Sequence, residues 1–458
     1  MLTRLRVRNF KAWKDSGEIR LAPLTVLFGT NSAGKTSIPQ LLILLKQTAE
    51  STDRQRALQL GDSRTLIDLG TYEEAVFGHD TDQSVTFDLS WTLDSPLVVT
   101  DPLTDLEASG SRLSFRVSVR ADKRQQPIVQ SLSYELIEGQ AQSLAVSLER
   151  RNGGEKFDLK IDGYKEVRHP GRPWPLPEPI RFYGFPDEAT AYYQNTAFLS
   201  DLALQMERML RSIYYVGPLR EYPRRLYLWS GEVPDHVGEK GDRAIESILA
   251  AGDRAYNFKP KQRTKTLAEL VAERLQKMDL IHSFEVKRLG KNRKEYEVLV
   301  RTHPKLPQVK LTDVGFGVSQ LLPVIVESFY VPPRSIVIFE QPEIHLHPKV
   351  QADLADLFID AIRAREGGEP RDCQFIVESH SEHFLRRLQR RIAEEELSPE
   401  DTALYFVNAG GDGAHIRELP VDLFGNILNW PENFFGDEMS DLVARAEAQS
   451  RRMAKGAK

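Results

Sequence analysis

A single cysteine, Cys373, stands in a chain of 458 residues. That scarcity excludes an internal disulfide framework and any zinc cluster built on several cysteines. Long hydrophobic runs are missing too: no stretch approaches the roughly twenty uninterrupted apolar residues needed to cross a bilayer, so no membrane partner is expected. Near the N-terminus Arg4, Arg6 and Arg8 alternate with Leu5 and Val7, which is not a secretory apolar region. These absences predict a cytoplasmic protein. No charge of one sign dominates either. With 61 Lys and Arg against 66 Asp and Glu the formal net charge is −5, so only a local basic patch would argue for nucleic acid. Apolar side chains are plentiful, at 41% of residues, and suffice for the cores of two or three domains.

The most informative run is Gly29-Thr30-Asn31-Ser32-Ala33-Gly34-Lys35-Thr36-Ser37, a complete GxxxxGK[ST] phosphate loop. Its context is the one the motif needs. Leu24 to Phe28 reads as a buried strand, and Ile38 to Leu45 continues with apolar residues at helical spacing. Gly29 and Gly34 let the main chain approach a phosphate closely. The N–H groups of Asn31, Ser32, Ala33 and Ser37 and the helix N-terminus would wrap it, Lys35 would reach the β- and γ-phosphates, and the Thr36 hydroxyl would ligate Mg²⁺. A nucleoside triphosphate is the expected ligand.

Two further strand ends carry chemistry. Ser335 to Phe339 is an apolar run of strand length ending in Glu340-Gln341-Pro342-Glu343. An acid at the C-terminal end of a buried parallel strand can hold Mg²⁺ beside a phosphate loop, which makes Glu340 the Walker B acid. Gln374 to Val377 repeats the pattern and leads into Glu378-Ser379-His380-Ser381, where His380 would meet the γ-phosphate or the attacking water. Gly315-Phe316-Gly317-Val318-Ser319-Gln320 opens an apolar helix, and glycines with a hydroxyl at a helix start make a second anion site.

Between these halves the chain changes character. Residues 1–80 read as the first half of a nucleotide-binding α/β core and 310–420 as the second. Residues 81–309 read as a β-rich and helical insertion, with 213–220 returning to the core. Alternating runs at Ser84–Leu93, Leu113–Val119, Ile128–Leu136, Leu144–Glu149 and Phe157–Ile161 predict a meander, with turns at Asn152-Gly153-Gly154 and Asp162-Gly163. The proline-rich stretch from His169 to Pro179, with Arg172-Pro173 inside it, marks a boundary. Helices are expected at Thr196–Ser212, Asp242–Leu249 and Leu267–Met278, and a hairpin at Ser283–Thr302. Residues 421–458 read as a C-terminal segment, with Trp430, Phe434 and Phe435 packing and the basic end from Arg451 disordered.

The order of these motifs resembles the ABC-type ATPase heads of the structural-maintenance-of-chromosomes (SMC), RecF and OLD (overcoming-lysogenization-defect) group, AAA-like P-loop ATPases. The resemblance spans about residues 1–80 and 310–410. It rests on Leu5 to Lys11, the phosphate loop, Tyr215-Val216-Gly217-Pro218-Leu219-Arg220, Gly315 to Gln320, Glu340 to Glu343 and Ser379-His380-Ser381. It implies an ATPase using ATP and Mg²⁺, as a homodimer or higher homo-oligomer. The phosphate loop of one copy would face the signature-like Gly315, Gly317, Ser319 and Gln320 of another. Gly317 and Ser319 both suit the signature serine's place. Gln40 and the loop from Asp68 to Glu74 are weaker candidates for metal or coupling contacts.

One departure bears on mechanism. The group usually has a glutamate where this chain has Gln341. A neutral amide cannot take a proton but can position water, so slow hydrolysis is expected, with Glu343, His345 and His380 as substitutes, His380 for γ-phosphate sensing and Glu343 as the weaker base. The resemblance also implies a separate effector protein and a role in anti-phage defence or DNA maintenance. OLD nucleases add a Toprim domain, and Asp412, Asp422, Asp437 and Glu438 do not form its acidic pattern. The alternatives are an ATP-gated scaffold that does not hydrolyse and an ATPase-controlled nuclease.

Other constellations favour plainer readings. His345 and His347 lack a third ligand and read as an interface loop. Arg386, Arg387, Arg390 and Arg391 line one side of a helix and suggest a nucleic-acid stripe, but a solvated face is the commoner meaning. The aromatic and cationic residues from Tyr214 to Trp229 could stack bases or simply pack a strand with a charged edge, and Arg220 could instead serve the nucleotide pocket or the interface.

Overall fold

A computed structural model describes residues 1–103, 107–151, 154–171, 174–431, 443–449 and 452. Asn152-Gly153, Arg172-Pro173, Phe434, Phe435, Asp437, Glu438 and nearly all of the basic end lie outside them.

The chain opens with strands β1 (Leu2–Phe10), β2 (Trp13–Asp15), β3 (Ile19–Arg20) and β4 (Leu24–Gly29), then helices α1 (Ser37–Glu50) and α2 (Tyr72–Ala75). Five longer strands follow: β5 (Val85–Thr100), β6 (Glu107–Ala121), β7 (Pro127–Glu138), β8 (Ala141–Arg150) and β9 (Phe157–Asp162). Next come α3 (Glu188–Ala191), α4 (Phe198–Arg211), β10 (Ile213–Val216), β11 (Tyr227–Leu228), α5 (Ala244–Ala251), β12 (Ala255–Asn257), β13 (Lys265–Thr266) and α6 (Leu267–Lys277). Then β14 (Ser283–Arg288), β15 (Glu295–Arg301) and β16 (Val309–Lys310) precede α7 (Phe316–Tyr330), β17 (Ile336–Glu340) and α8 (Pro348–Arg363). The last are β18 (Arg365–Glu366), β19 (Glu369–Pro370), β20 (Gln374–Glu378), α9 (Glu382–Ala393), β21 (Thr402–Gly410) and β22 (Gly413–Glu418).

Two large sheets organise these elements. One runs β10-β17-β20-β4-β21-β22 and is parallel except for β22. Its inner strands are buried on both faces, which is why Ile336 to Phe339 and Phe375 to Val377 read as unbroken apolar runs. Side chains still alternate. Ile336, Ile338 and Ile376 face a core shared with α1, α4 and the other large sheet, whereas Val337, Phe339, Phe375 and Val377 face a core shared with α5 to α9. The parallel sheet is thus a middle layer.

The other sheet is antiparallel, in the order β2-β1-β5-β6-β7-β8-β9 with β3 paired to β1. Its strands alternate because one face meets water. Leu5 and Val7 of β1 and Phe87 and Leu89 of β5 point into the first core, and Arg6, Arg8 and Asp88 point outward. The meander does not stand apart: β5 pairs directly with β1, Val7 opposite Phe87. The sheet therefore runs without a break across residue 80.

Near the C-terminus, Phe434 and Phe435 of the expected packing segment lie outside the described residues, and Trp430 is 46% exposed. Val421 bridges Ile427 in a turn held by Asp422, and Leu423, Phe424 and Leu428 are mostly exposed. Val421 and Ile427 pack against the second core, and Gln389 of α9 donates to the Gly425 carbonyl at 2.8 Å.

Candidate functional site

The site forms where β4, β17 and β20 end. Parallel strands place their carboxyl ends along one edge, and the loop from β4 to α1 caps it. Gly29 has φ 143°, and a Cβ there would fall 1.9 Å from the Val407 carbonyl of β21. Gly34 has φ 95°, with Ala12 and Ala414 crowding the place of a Cβ. These two glycines are needed by the backbone itself. Asn31 and Ser32 are exposed, with Ser32 also left-handed at φ 59°, while Ala33 and Ser37 are buried. Trp13 braces the loop from below, its Nε1 donating to the Gly34 carbonyl at 3.1 Å.

Lys35 is 3% exposed and lies within the loop, its Nζ donating to the Gly29 carbonyl at 3.1 Å and the Thr30 carbonyl at 2.6 Å. Burial lowers its pKa, and Glu378 and Glu343 oppose that shift. The Thr36 hydroxyl donates to Glu378 Oε1 at 3.1 Å. Glu378 is the residue that sequence reasoning passed over. It ends β20 in register with Glu340 at the end of β17, and the signal was available, since an acid after an apolar strand run marks both.

The two acids differ in their partners. Glu340 is hydrogen-bonded to Tyr215, and burial together with the Glu378 charge pushes its pKa up to about 7. Burial also raises Glu378, against the pull of Thr36 and Lys35. Glu378 Oε2 is buried with no hydrogen-bond partner. A hydroxyl, a carboxylate with a vacant lone pair and a second carboxylate beside it suit a hard divalent cation, which keeps waters and takes the rest of its oxygens from phosphates. Thr36, Glu378 and Glu340 could therefore hold Mg²⁺. Among the described residues no group of three or more His, Cys, Asp or Glu is arranged to hold a metal.

Gln341 follows Glu340 with φ 44°, its N–H donating to the Glu378 carbonyl at 2.9 Å. Glu343 is buried, and its Oε1 accepts the His380 N–H at 2.6 Å. Burial raises the Glu343 pKa, against the His380 N–H and, more weakly, the Ser379 hydroxyl and the Arg220 charge. His380 is half-buried; desolvation and the Lys35 charge lower its pKa, favouring the neutral ring. Ser381 caps α9 by accepting the Phe384 N–H at 3.1 Å. The structure thus brings Lys35, Thr36, Glu340, Gln341, Glu343 and His380 to one edge.

The signature-like residues behave differently. Gly315 is exposed at the N-cap of α7 and Gly317 is half-buried. Ser319 is buried with its hydroxyl donating to the Phe316 carbonyl at 2.8 Å, and Gln320 is buried. Of the two candidates for the signature serine's place, Gly317 is the more accessible. Gln40 is half-buried on α1. Asp68 and Glu74 are used locally, Asp68 accepting the Gly70 N–H and Glu74 closing a capping box with Thr71.

The basic stripe on α9 is neutralised. Arg387 and Arg391 reach Asp356 of α8, and Arg386 and Arg390 pair with Glu382 and Glu394. Likewise Arg224 pairs with Glu221 and Arg225 with Asp313, while Tyr215 and Tyr227 are buried. His347 caps α8, and the His345 ring lies 5.1 Å from that of Phe316.

Residues 1–126 and 251–385, more than half of the chain, match the AAA ATPase domain family. Residues 397–444 match a family described as a protein of unknown function, DUF3696. No curated protein matches the chain. Among solved structures, the SMC head bound to the C-winged helix domain of ScpA overlays with a TM-score of 0.45 at 10% identity, covering 92% of this chain and 98% of that one. The SMC head domain from Thermotoga maritima gives 0.40 at 11%, covering 92% and 99%. The SMC head with an extended coiled coil, bound to the C-terminal domain of ScpA from Pyrococcus furiosus, gives 0.41 at 9%, covering 92% and 96%.

Proposed function

Since this chain belongs to the AAA ATPase domain family, we propose that it is a slow ATP-hydrolysing switch whose copies close around ATP and open after hydrolysis. The observation that carries this reading is the Thr36 to Glu378 hydrogen bond at 3.1 Å, because it joins the phosphate loop to an acid-bearing strand end at one small site. In this reading the loop N–H groups and Lys35 bind the phosphates. Thr36, Glu378 and Glu340 would hold Mg²⁺, which would supply charge neutralisation on the phosphates. Neutral His380 reads the γ-phosphate, and Gln341 orients water without accepting its proton. Glu343, which accepts the His380 N–H, is the weaker base candidate.

The exposed Gly315 and half-buried Gly317 at the start of α7 support a contact with a second copy's nucleotide, making a homodimer or higher homo-oligomer. The OLD-like motif order supports a separate effector protein and a part in anti-phage defence or DNA maintenance. Gln341 also favours a second reading, a scaffold that ATP closes without being cleaved.

ATP turnover by the purified chain, with its mass measured in ATP, separates the two. Turnover abolished in Lys35→Ala and raised in Gln341→Glu is expected of the switch. Absence of turnover with ATP-dependent association intact would establish the scaffold instead.

A further inference from the structure

Arg220 is an unusual charge for its surroundings. It is 6% exposed and lies four residues beyond the end of β10. Its segment is tied down by backbone bonds, Gly217 N–H to the Glu239 carbonyl at 2.8 Å and Glu221 N–H to the Lys240 carbonyl at 2.9 Å. The guanidinium is therefore delivered to a fixed place. Its Nη2 donates to the Glu340 carbonyl at 3.3 Å and lies 3.5 Å from the Gln341 carbonyl. Nε and Nη1 are buried without partners.

A buried cation with unmatched donors is costly, and an apolar side chain of similar volume would fill the space at lower cost. Its surroundings supply a reason for the charge. Glu343 is a buried acid whose charge favours the guanidinium, and Glu343 Oε2 is likewise buried without a partner while Oε1 accepts the His380 N–H. Arg220 thus touches one turn and lies in the field of an acid that holds another. It grips the backbone around Gln341, whose left-handed φ of 44° is unfavourable for a non-glycine residue. Its link to the second turn is the charge of Glu343, which accepts the His380 N–H.

We propose that Arg220 is a positioning residue for ATP hydrolysis, holding the Gln341 turn by its carbonyls and acting as countercharge to Glu343, which in turn fixes the His380 turn beside the phosphate loop. The inference rests on the ATPase reading above. It assigns Arg220 no contact with the nucleotide, so ATP affinity and turnover should separate.

The test uses the full chain with ATP and Mg²⁺, comparing Arg220→Met, Arg220→Lys, Glu343→Gln and the double variant Arg220→Met/Glu343→Gln. In Arg220→Met, kcat should fall about tenfold or more while KM stays within about twofold. Arg220→Lys keeps the charge but not the fork and should recover part of the loss. On the Glu343→Gln background, Arg220→Met should cost no more than about twofold further, because the two act as one unit. Hydrogen exchange should rise in Arg220→Met within residues 341–346 and 379–383 and stay unchanged elsewhere. Multiplying penalties in the double variant, a KM that rises in step with the fall in kcat, or exchange that rises throughout the chain would overturn the inference. A wild-type chain that turns over no ATP would instead sink the ATPase reading. Exchange with ATP bound then still decides whether Arg220 holds the two turns, and unchanged exchange there refutes it.

Discussion

Asp88 of the antiparallel sheet sits between Arg8 at 3.3 Å and Arg116 at 2.5 Å on the solvent face, whereas Glu340 and Glu378 of the parallel sheet sit side by side at a buried edge, hydrogen-bonded to the hydroxyls of Tyr215 and Thr36. The first arrangement is what a chain selects for solubility and register. Charges stay in water, opposite signs meet across strands, and each pair contributes little. The second arrangement is unfavourable for an isolated fold. Two carboxyls are desolvated together and both pKa values rise. A protein keeps such a cluster where a ligand will supply the missing positive charge. Within one chain, then, the antiparallel sheet carries charge at little cost, and the parallel sheet concentrates its cost at the ends of three strands.

The contrast can be broken most forcefully at Glu378. If that carboxylate and Thr36 hold the ion, Glu378→Gln should lower turnover by about 10–100-fold and raise the Mg²⁺ concentration needed for half-maximal rate. Titration of turnover against Mg²⁺ checks this, and an unchanged Mg²⁺ requirement would return the ligand role to Glu340 alone.

A smaller effect should appear in stability without any nucleotide. Glu340 in the folded chain has a pKa of about 7 against an ordinary 4.5, so the folded state holds a proton that the unfolded chain has released between those values. Stability from this group is therefore full at low pH and lost as pH rises through about 7. Glu340→Gln should remove the loss, stabilising the nucleotide-free protein at pH 8 by on the order of 1–3 kcal/mol and much less at pH 5. Melting temperatures at the two pH values measure it.

The least effect is expected across the other sheet. Asp88→Asn should cost under about 1 kcal/mol in urea unfolding and leave turnover unchanged. A larger loss, or a change in turnover, would mean that the antiparallel sheet is not the passive partner in this comparison.

Much of this architecture was legible beforehand, because it depends on residues close together in sequence. The five strands of the meander, the returning strand at Ile213–Val216 and the helix Phe198–Arg211 all emerge from periodicity. The phosphate loop is likewise local, since its glycines serve φ angles and contacts at their own positions. Nothing local could show that β5 joins β1, for Val7 and Phe87 meet only through long-range pairing. Nor could it show that Thr36 faces Glu378, which depends on β20 lying between β4 and β17 and on the register that aligns Glu340 with Glu378. Arg387 and Arg391 of α9 read as part of a solvated face for the same reason, their neutralising Asp356 being on a different helix. The sequence by itself determined the elements, the phosphate loop and the acids that end the strands. Which acid meets which hydroxyl, and which cations are left without a carboxylate, was decided by tertiary structure, because Coulomb and hydrogen-bond energies depend on distances in space that separation along the chain does not specify.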